Sequence, residues 1–188
     1  MAELEKSSEE IKPSVGLIIV TKGPQKSPIM AILRRRGDTK YNGKICVPEP
    51  WAGLCQATVH GKIKWEESPT HTLYRKAKDQ LGECFFNSVK LDDREARLLI
   101  NDNERRVKTY GLCVHPKCIS HIRLDSSSAG IKRVYLDKLD EIRIATKADR
   151  NTPITDLNDI VMFEDEFMAL QEIMKDENRQ LLSIMRHW

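Results

Sequence analysis

The sequence predicts an α/β (α+β) fold with a central mixed β-sheet and helices packed on its faces. Three observations carry this. "SVGLIIV" (14–20) is a continuous apolar, β-branched run, as in a strand buried on both faces. "SPTHTLYRKAKDQLG" (68–82) carries helix start and stop signals around apolar residues spaced four apart. The order of elements is strand, strand, strand, helix, more strands and a last helix. It lacks the alternation of a dinucleotide-binding fold, and there is no Gly-rich phosphate fingerprint.

The chain has 188 residues, enough for one sizeable core. Residues 1–13 read as a flexible N-terminal tail ending at Pro13, and 14–188 as a single domain. After the first strand, "TKGPQKSP" is a turn and "IMAILRRR" (29–36) a second strand that leaves the core at its arginines. "GDTKYNGK" (37–44) reads as a loop, and 51–63 as an extended segment leading to Gly61. Ser68 is a good N-cap, and Pro69 sits where a missing N–H is harmless. Leu73, Ala77 and Leu81 form the stripe that should be buried, with Tyr74 beside it, and Gly82 marks the end. "DDREARLLIN" (92–101) reads as a short second helix. Residues 106–114 and 118–125 read as strands around a Pro116-Lys117 turn, and 131–136 as another. Phe163, Phe167, Leu170, Met174, Leu181 and Met185 keep a helical period near the C-terminus, with acidic residues early in that helix.

Hydrophobic residues make up 40% and charged residues 31%, an ordinary globular balance. No apolar run approaches the roughly 20 residues that span a bilayer, so no membrane partner is expected. The polar, acidic opening "MAELEKSSEE" does not resemble a secretory signal, and a cytoplasmic location is the expectation. A net charge of +3 is weak support for nucleic-acid binding. Arg34-Arg35-Arg36 and Arg105-Arg106 read first as a solvated strand end and a solvated turn. The five cysteines are irregularly spaced, which predicts free thiols. "CVHPKCISH" (113–121) holds zinc-ligand types, but its spacing fits finger patterns poorly, and alternation would put Cys113 and His115 on one strand face to pack. No zinc is expected there.

The segment "GKIKWEESPTHTLYRKAKDQLGE" (61–83) resembles the Nudix box, G-x5-E-x7-R-E-U-x-E-E-x-G-U, where U is a bulky aliphatic residue. Gly61, Glu67, Arg75 and Gly82 fall in register without a gap. "VGLIIV", "AILRRR", "RVYLDKLDEI" and "FEDEFMALQEIM" also look like parts of a Nudix domain, so the resemblance spans about residues 14–185. It implies an α/β/α sandwich. It also implies hydrolysis of nucleoside diphosphate-linked compounds with Mg²⁺ or Mn²⁺ held by box glutamates, which suits hard cations and their oxygen ligands.

The departures are specific. The family's R-E-U-x-E-E is here Arg75-Lys76-Ala77-Lys78-Asp79-Gln80; Glu83 replaces the final aliphatic residue, and His60 the glycine usual before Gly61. Of four expected carboxylates, Glu67 and Asp79 are present. An ammonium about 6 Å from a divalent cation is repelled by at most about 5 kcal/mol at an effective dielectric near 20. The resemblance therefore implies a degenerate box. By this reading Glu67, Arg75 and Asp79 are the catalytic candidates, and Glu67 and Asp79 the metal candidates. Arg34, Arg36, Lys76 and Gly61 would contact a nucleotide or phosphorylated small molecule. Arg75 could hold Glu67 with or without metal, or pair with Asp79 along the helix. Three functional readings follow: a binding protein with weak or absent hydrolysis, a Mg²⁺/Mn²⁺ hydrolase recruiting Glu83, Glu95, Glu104 or Glu164, and a nucleic-acid or protein interaction module. Trp51, Trp65 and Tyr41 are candidates for stacking on a base. Loops 21–28, 37–50 and 101–106 should set ligand choice.

Overall fold

The computed structural model describes residues 12–23, 28–42, 45–91, 96–175 and 182. The strands are β1 (Ser14–Lys22), β2 (Ile29–Arg36), β3 (Thr39–Asn42), β4 (Ile45–Pro48), β5 (Cys55–Gln56), β6 (Val59–Lys62), β7 (Arg97–Asp102), β8 (Val107–Cys113), β9 (Ser128–Tyr135), β10 (Ile142–Ile144) and β11 (Ile160–Met162). The α-helices are α1 (Pro69–Leu81), α2 (Glu83–Val89), α3 (Pro116–Ile119) and α4 (Glu164–Ile173). Among the described residues, nine strands form one mixed sheet in the order β10-β11-β5-β2-β1-β8-β7, with β6 added to β1 and β9 to β2. No described helix is long and apolar enough to cross a membrane.

β1 organises the sheet because both of its faces are apolar. Val15, Leu17 and Ile19 pack with Leu73, Ala77, Leu81, Phe85 and Phe86 of α1 and α2. Ile18 and Val20 pack with Ala169, Leu170 and Ile173 of α4 on the other face. This is the α/β/α sandwich the sequence implied. α1 has the expected bounds: Ser68 Oγ accepts from His71 N at 3.1 Å, Pro69 follows, and Gly82 ends the helix at φ 84°. Each fully buried leucine of its stripe contributes about 1.5–3 kcal/mol.

Register creates the cleft. Residues 14–17 of β1 pair antiparallel with β6, and residues 19–22 of the same strand pair with β2. Both partners lie along one edge of β1, so β2 and β6 part where they meet, leaving an opening that faces α1.

Three expectations are corrected. Residues 97–102 form β7, antiparallel to β8, and not a helix; Leu99 enters the core while Leu98 stays exposed. Helix forms earlier instead, at α2, where Phe85, Phe86 and Val89 are buried. Residues 118–125 are not a strand: Pro116 starts the short α3, and His115 Nδ1 accepts from Lys117 N at 3.2 Å. Within 37–44, residues 39–42 pair with β4 as a hairpin. The C-terminal helix is described to Ile173; Leu181 and Met185 lie outside the described residues.

Candidate functional site

The opening is a cleft of about 1190 Å³. Its walls come from the ends of β2 and β5, from β6 and the turn after it, and from α1. Eight Lys and Arg side chains line it, among them Arg34, Arg36, Lys62, Arg75 and Lys76, against two glutamates, Glu49 and Glu66. His60 also lines it. Burial, with Arg34 and Arg36 nearby, pushes the His60 imidazole down to about 4, so it is neutral at physiological pH.

Glu67 and Arg75 form a clamp. Arg75 Nε donates to Glu67 Oε1 at 2.7 Å and Arg75 Nη2 to Oε2 at 2.6 Å, a bidentate charge-assisted pair. Glu67 Oε2 also accepts from Thr72 Oγ1 at 2.8 Å and from Lys64 N at 3.2 Å. Hydrogen bonding to Arg75 is the main reason the Glu67 carboxyl drops to about 2. The clamp ties the turn before α1 to the helix itself. Glu67 does not line the cleft, although Arg75 does.

The face of α1 that meets the cleft presents Arg75, Lys76 and Gln80. A Cβ at Gly61 would lie 2.4 Å from Lys76 Cγ and 3.0 Å from its Cδ. Gly61 is thus required by close approach: the lysine stem crosses the bare backbone of β6. The Lys76 ammonium ends 3.8 Å from Asp79 Oδ2. Gln80 is buried and latches onto β6 with both ends of its amide. His60 N donates to Gln80 Oε1 at 3.0 Å, and Gln80 Nε2 donates to His60 O at 2.8 Å. A glutamate could accept the first bond but not donate the second. Asp79 is exposed and outside the cleft lining, and its ion pair is with Lys76; Arg75 gives its hydrogen bonds to Glu67 and feels Asp79 only through space.

The arginine triplet divides by strand alternation. Arg34 and Arg36 face the cleft, and Arg35 reaches the opposite side to donate to Ile154 O at 2.6 Å and Asp156 O at 2.8 Å. Arg36 pairs with Glu49. Arg34 donates to Ser128 Oγ at 2.7 Å and lies 3.8 Å from Asp125 Oδ1. Arg34 and Arg35 are 4% and 5% exposed, so this strand end is not solvated. Arg34 Nε has no hydrogen-bond partner among the described residues, which leaves a buried donor beside the cleft.

Of the outside carboxylates, Glu83 and Glu104 are exposed and Glu164 pairs with Arg105 at 3.6 Å; none lines the cleft, and Glu95 lies outside the described residues. Trp51 packs edge-on against Phe163 with centroids 5.1 Å apart, a structural role. Trp65 is at the cleft mouth, and the side chain of Tyr41 is outside the described residues. In "CVHPKCISH", Cys113 is buried in the α4-side core and Cys118 Sγ lies 3.7 Å from Ser88 O. Sequence reasoning missed Gln56, His60, Glu49 and Glu166. Glu166, buried in the first turn of α4, accepts from Ala57 N at 2.9 Å, and burial raises its carboxyl to about 8. Only the acidic start of α4 hinted at it.

No family profile matches the sequence, and no curated protein does. Solved structures do match. A mutT/nudix family protein from Listeria innocua superposes with a TM-score of 0.58 at 14% identity, covering 92% of this chain and 97% of that one. A bifunctional NMN adenylyltransferase/ADP ribose pyrophosphatase from Francisella tularensis, complexed with AMP and a Mn ion, gives 0.50 at 11% identity over 87% of this chain and 41% of its own. The chain therefore has the Nudix fold. At these identities the likeness extends to the fold alone.

Proposed function

We propose that the cleft binds a nucleotide or phosphorylated small molecule directly through its cationic side chains, with weak or absent hydrolysis. The observation that carries this reading is the chemistry of positions 76 and 80. They are the two altered box positions that face the cleft, and they present an ammonium and a latched amide. Mg²⁺ or Mn²⁺ requires a convergent set of oxygen ligands. Here Glu67 is saturated by Arg75, Thr72 and Lys64, and Asp79 points to solvent beside Lys76. The residues present do not fit a divalent cation in the cleft. Among the described residues, no three His, Cys, Asp or Glu side chains gather as a metal group. The same cleft suits a phosphate chain. Arg34 has a free buried donor, Arg36 and Lys76 add charge, and neutral His60 leaves the balance positive without depending on pH near 7.

The test is incubation with ADP-ribose and Mn²⁺ or Mg²⁺, followed by chromatography for AMP. Little or no AMP is expected, together with weak Mn²⁺ binding by calorimetry. Metal-dependent turnover would mean that Glu67 leaves its clamp, and that the alternative hydrolase built on Glu67, Asp79 and an outside carboxylate is correct.

A further inference from the structure

Trp65 is 92% exposed, the most exposed large apolar side chain among the described residues, and it lies at the lining of the cationic cleft. Its position is not a matter of a loose loop. Glu67 N donates to Lys64 O at 3.1 Å, closing a four-residue turn with Trp65 and Glu66 at its centre. Lys64 N donates back to the Glu67 carboxylate, which Arg75 and Thr72 hold from α1. Glu66 takes a left-handed conformation, φ 63°, which a residue with a side chain adopts only at an energetic cost. A hydrogen-bonded, partly strained turn thus holds an indole out of the core and at the rim of a cationic cleft with room for more than a phosphate group. Indole offers a large flat surface for another ring at little conformational cost.

We infer that Trp65 is a stacking platform for a planar aromatic group on the ligand, and that the Glu67–Arg75 clamp serves as its mount. The inference rests on the cleft reading above and adds specificity to it. The ligand pairs a planar ring at Trp65 with phosphate toward Arg34 and Lys76, a combination that a nucleotide unit supplies and an inorganic polyphosphate or a sugar phosphate does not. A free nucleotide and a nucleotide within a single strand share this chemistry.

The experiment is calorimetry in EDTA on the full chain and on Trp65→Ala and Trp65→Phe. The probes are ADP, inorganic pyrophosphate and a short single-stranded oligonucleotide. Stacking on one base predicts that Trp65→Ala weakens ADP binding about tenfold. Trp65→Phe should keep most of the affinity, and neither variant should change pyrophosphate binding. Because Trp65 is exposed, circular dichroism should be unchanged. If the oligonucleotide binds more tightly than ADP and is weakened equally by Trp65→Ala, the stacked unit belongs to a strand. If pyrophosphate and ADP both bind but Trp65→Ala leaves ADP unaffected, the stacking inference fails while the cleft reading stands. If neither binds the unaltered protein, both fail.

Discussion

Two parts of the Gly61–Gly82 segment do different jobs. The turn and the start of α1 are tied by Glu67 and Arg75, whose bonds at 2.6 and 2.7 Å leave the carboxylate committed to holding backbone and helix together. The later part of α1 meets the cleft with Lys76 and Gln80, whose stem and amide are fitted to β6. The first part retains the residue types of the box and joins them to one another by hydrogen bonds. The second presents an ammonium and an amide whose contacts are with β6 and Asp79, and on the proposed reading these take the place of metal ligands. Anchors that fall in register thus leave open what each side chain does, and the hydrogen-bond partners separate the residues that tie the frame from those that meet the cleft.

The largest effect is expected at Gln80. Gln80→Glu would set a buried carboxylate against the carbonyl of His60, losing one hydrogen bond and leaving an acceptor facing an acceptor. A loss of about 2–3 kcal/mol is expected, read as a lower urea midpoint. Restoring the family's glutamate there should thus destabilise the protein before it improves any metal site. Unchanged stability would mean that the latch is incidental.

A smaller effect is expected at Gly61. Gly61→Ala would drive a methyl into the Lys76 stem and push the ammonium from its place. Pyrophosphate affinity in EDTA should fall several-fold with little change in secondary structure by circular dichroism. Equal affinity would show that Lys76 is not part of the anion site.

The smallest effect concerns the clamp, because its groups are partly exposed and solvent screens them. The Glu67 carboxyl is depressed in the folded state to about 2, below the ordinary carboxylate value near 4.5. Its stabilisation is therefore complete above about pH 4.5 and is lost as pH falls through about 2. Glu67→Gln should lower Tm at pH 7, and the gap from the unaltered protein should shrink as pH falls toward 2. A gap independent of pH would mean that the pair acts through shape and not through charge.

Much of the fold was legible because its signals are local. The caps at Ser68 and Gly82 and the Leu73-Ala77-Leu81 stripe set α1, and the apolar run of β1 announced a strand with two buried faces. β7 was not legible: "RLLI" is too short to separate helix from strand, and its pairing with β8 is made across the chain. The resemblance offered the clamp as one of two pairings for Arg75, and only the structure chooses Glu67 over Asp79. The cleft's charge could not be read from the sequence, since its cations come from Lys12, β2, β6, the turn before α1, α1 and Arg106, and a net charge of +3 hides such a concentration. Nor could the role of Gln80, which depends on where the edge of β6 falls.

On the proposed reading this cleft holds phosphate by cationic side chains and not through metal. Titration of pyrophosphate into the protein in EDTA, repeated with Lys76→Glu, tests it most directly. Binding without metal that weakens steeply with added salt is expected, with a loss of about tenfold or more in Lys76→Glu. No binding in EDTA, with binding appearing only when Mn²⁺ is supplied, would contradict it.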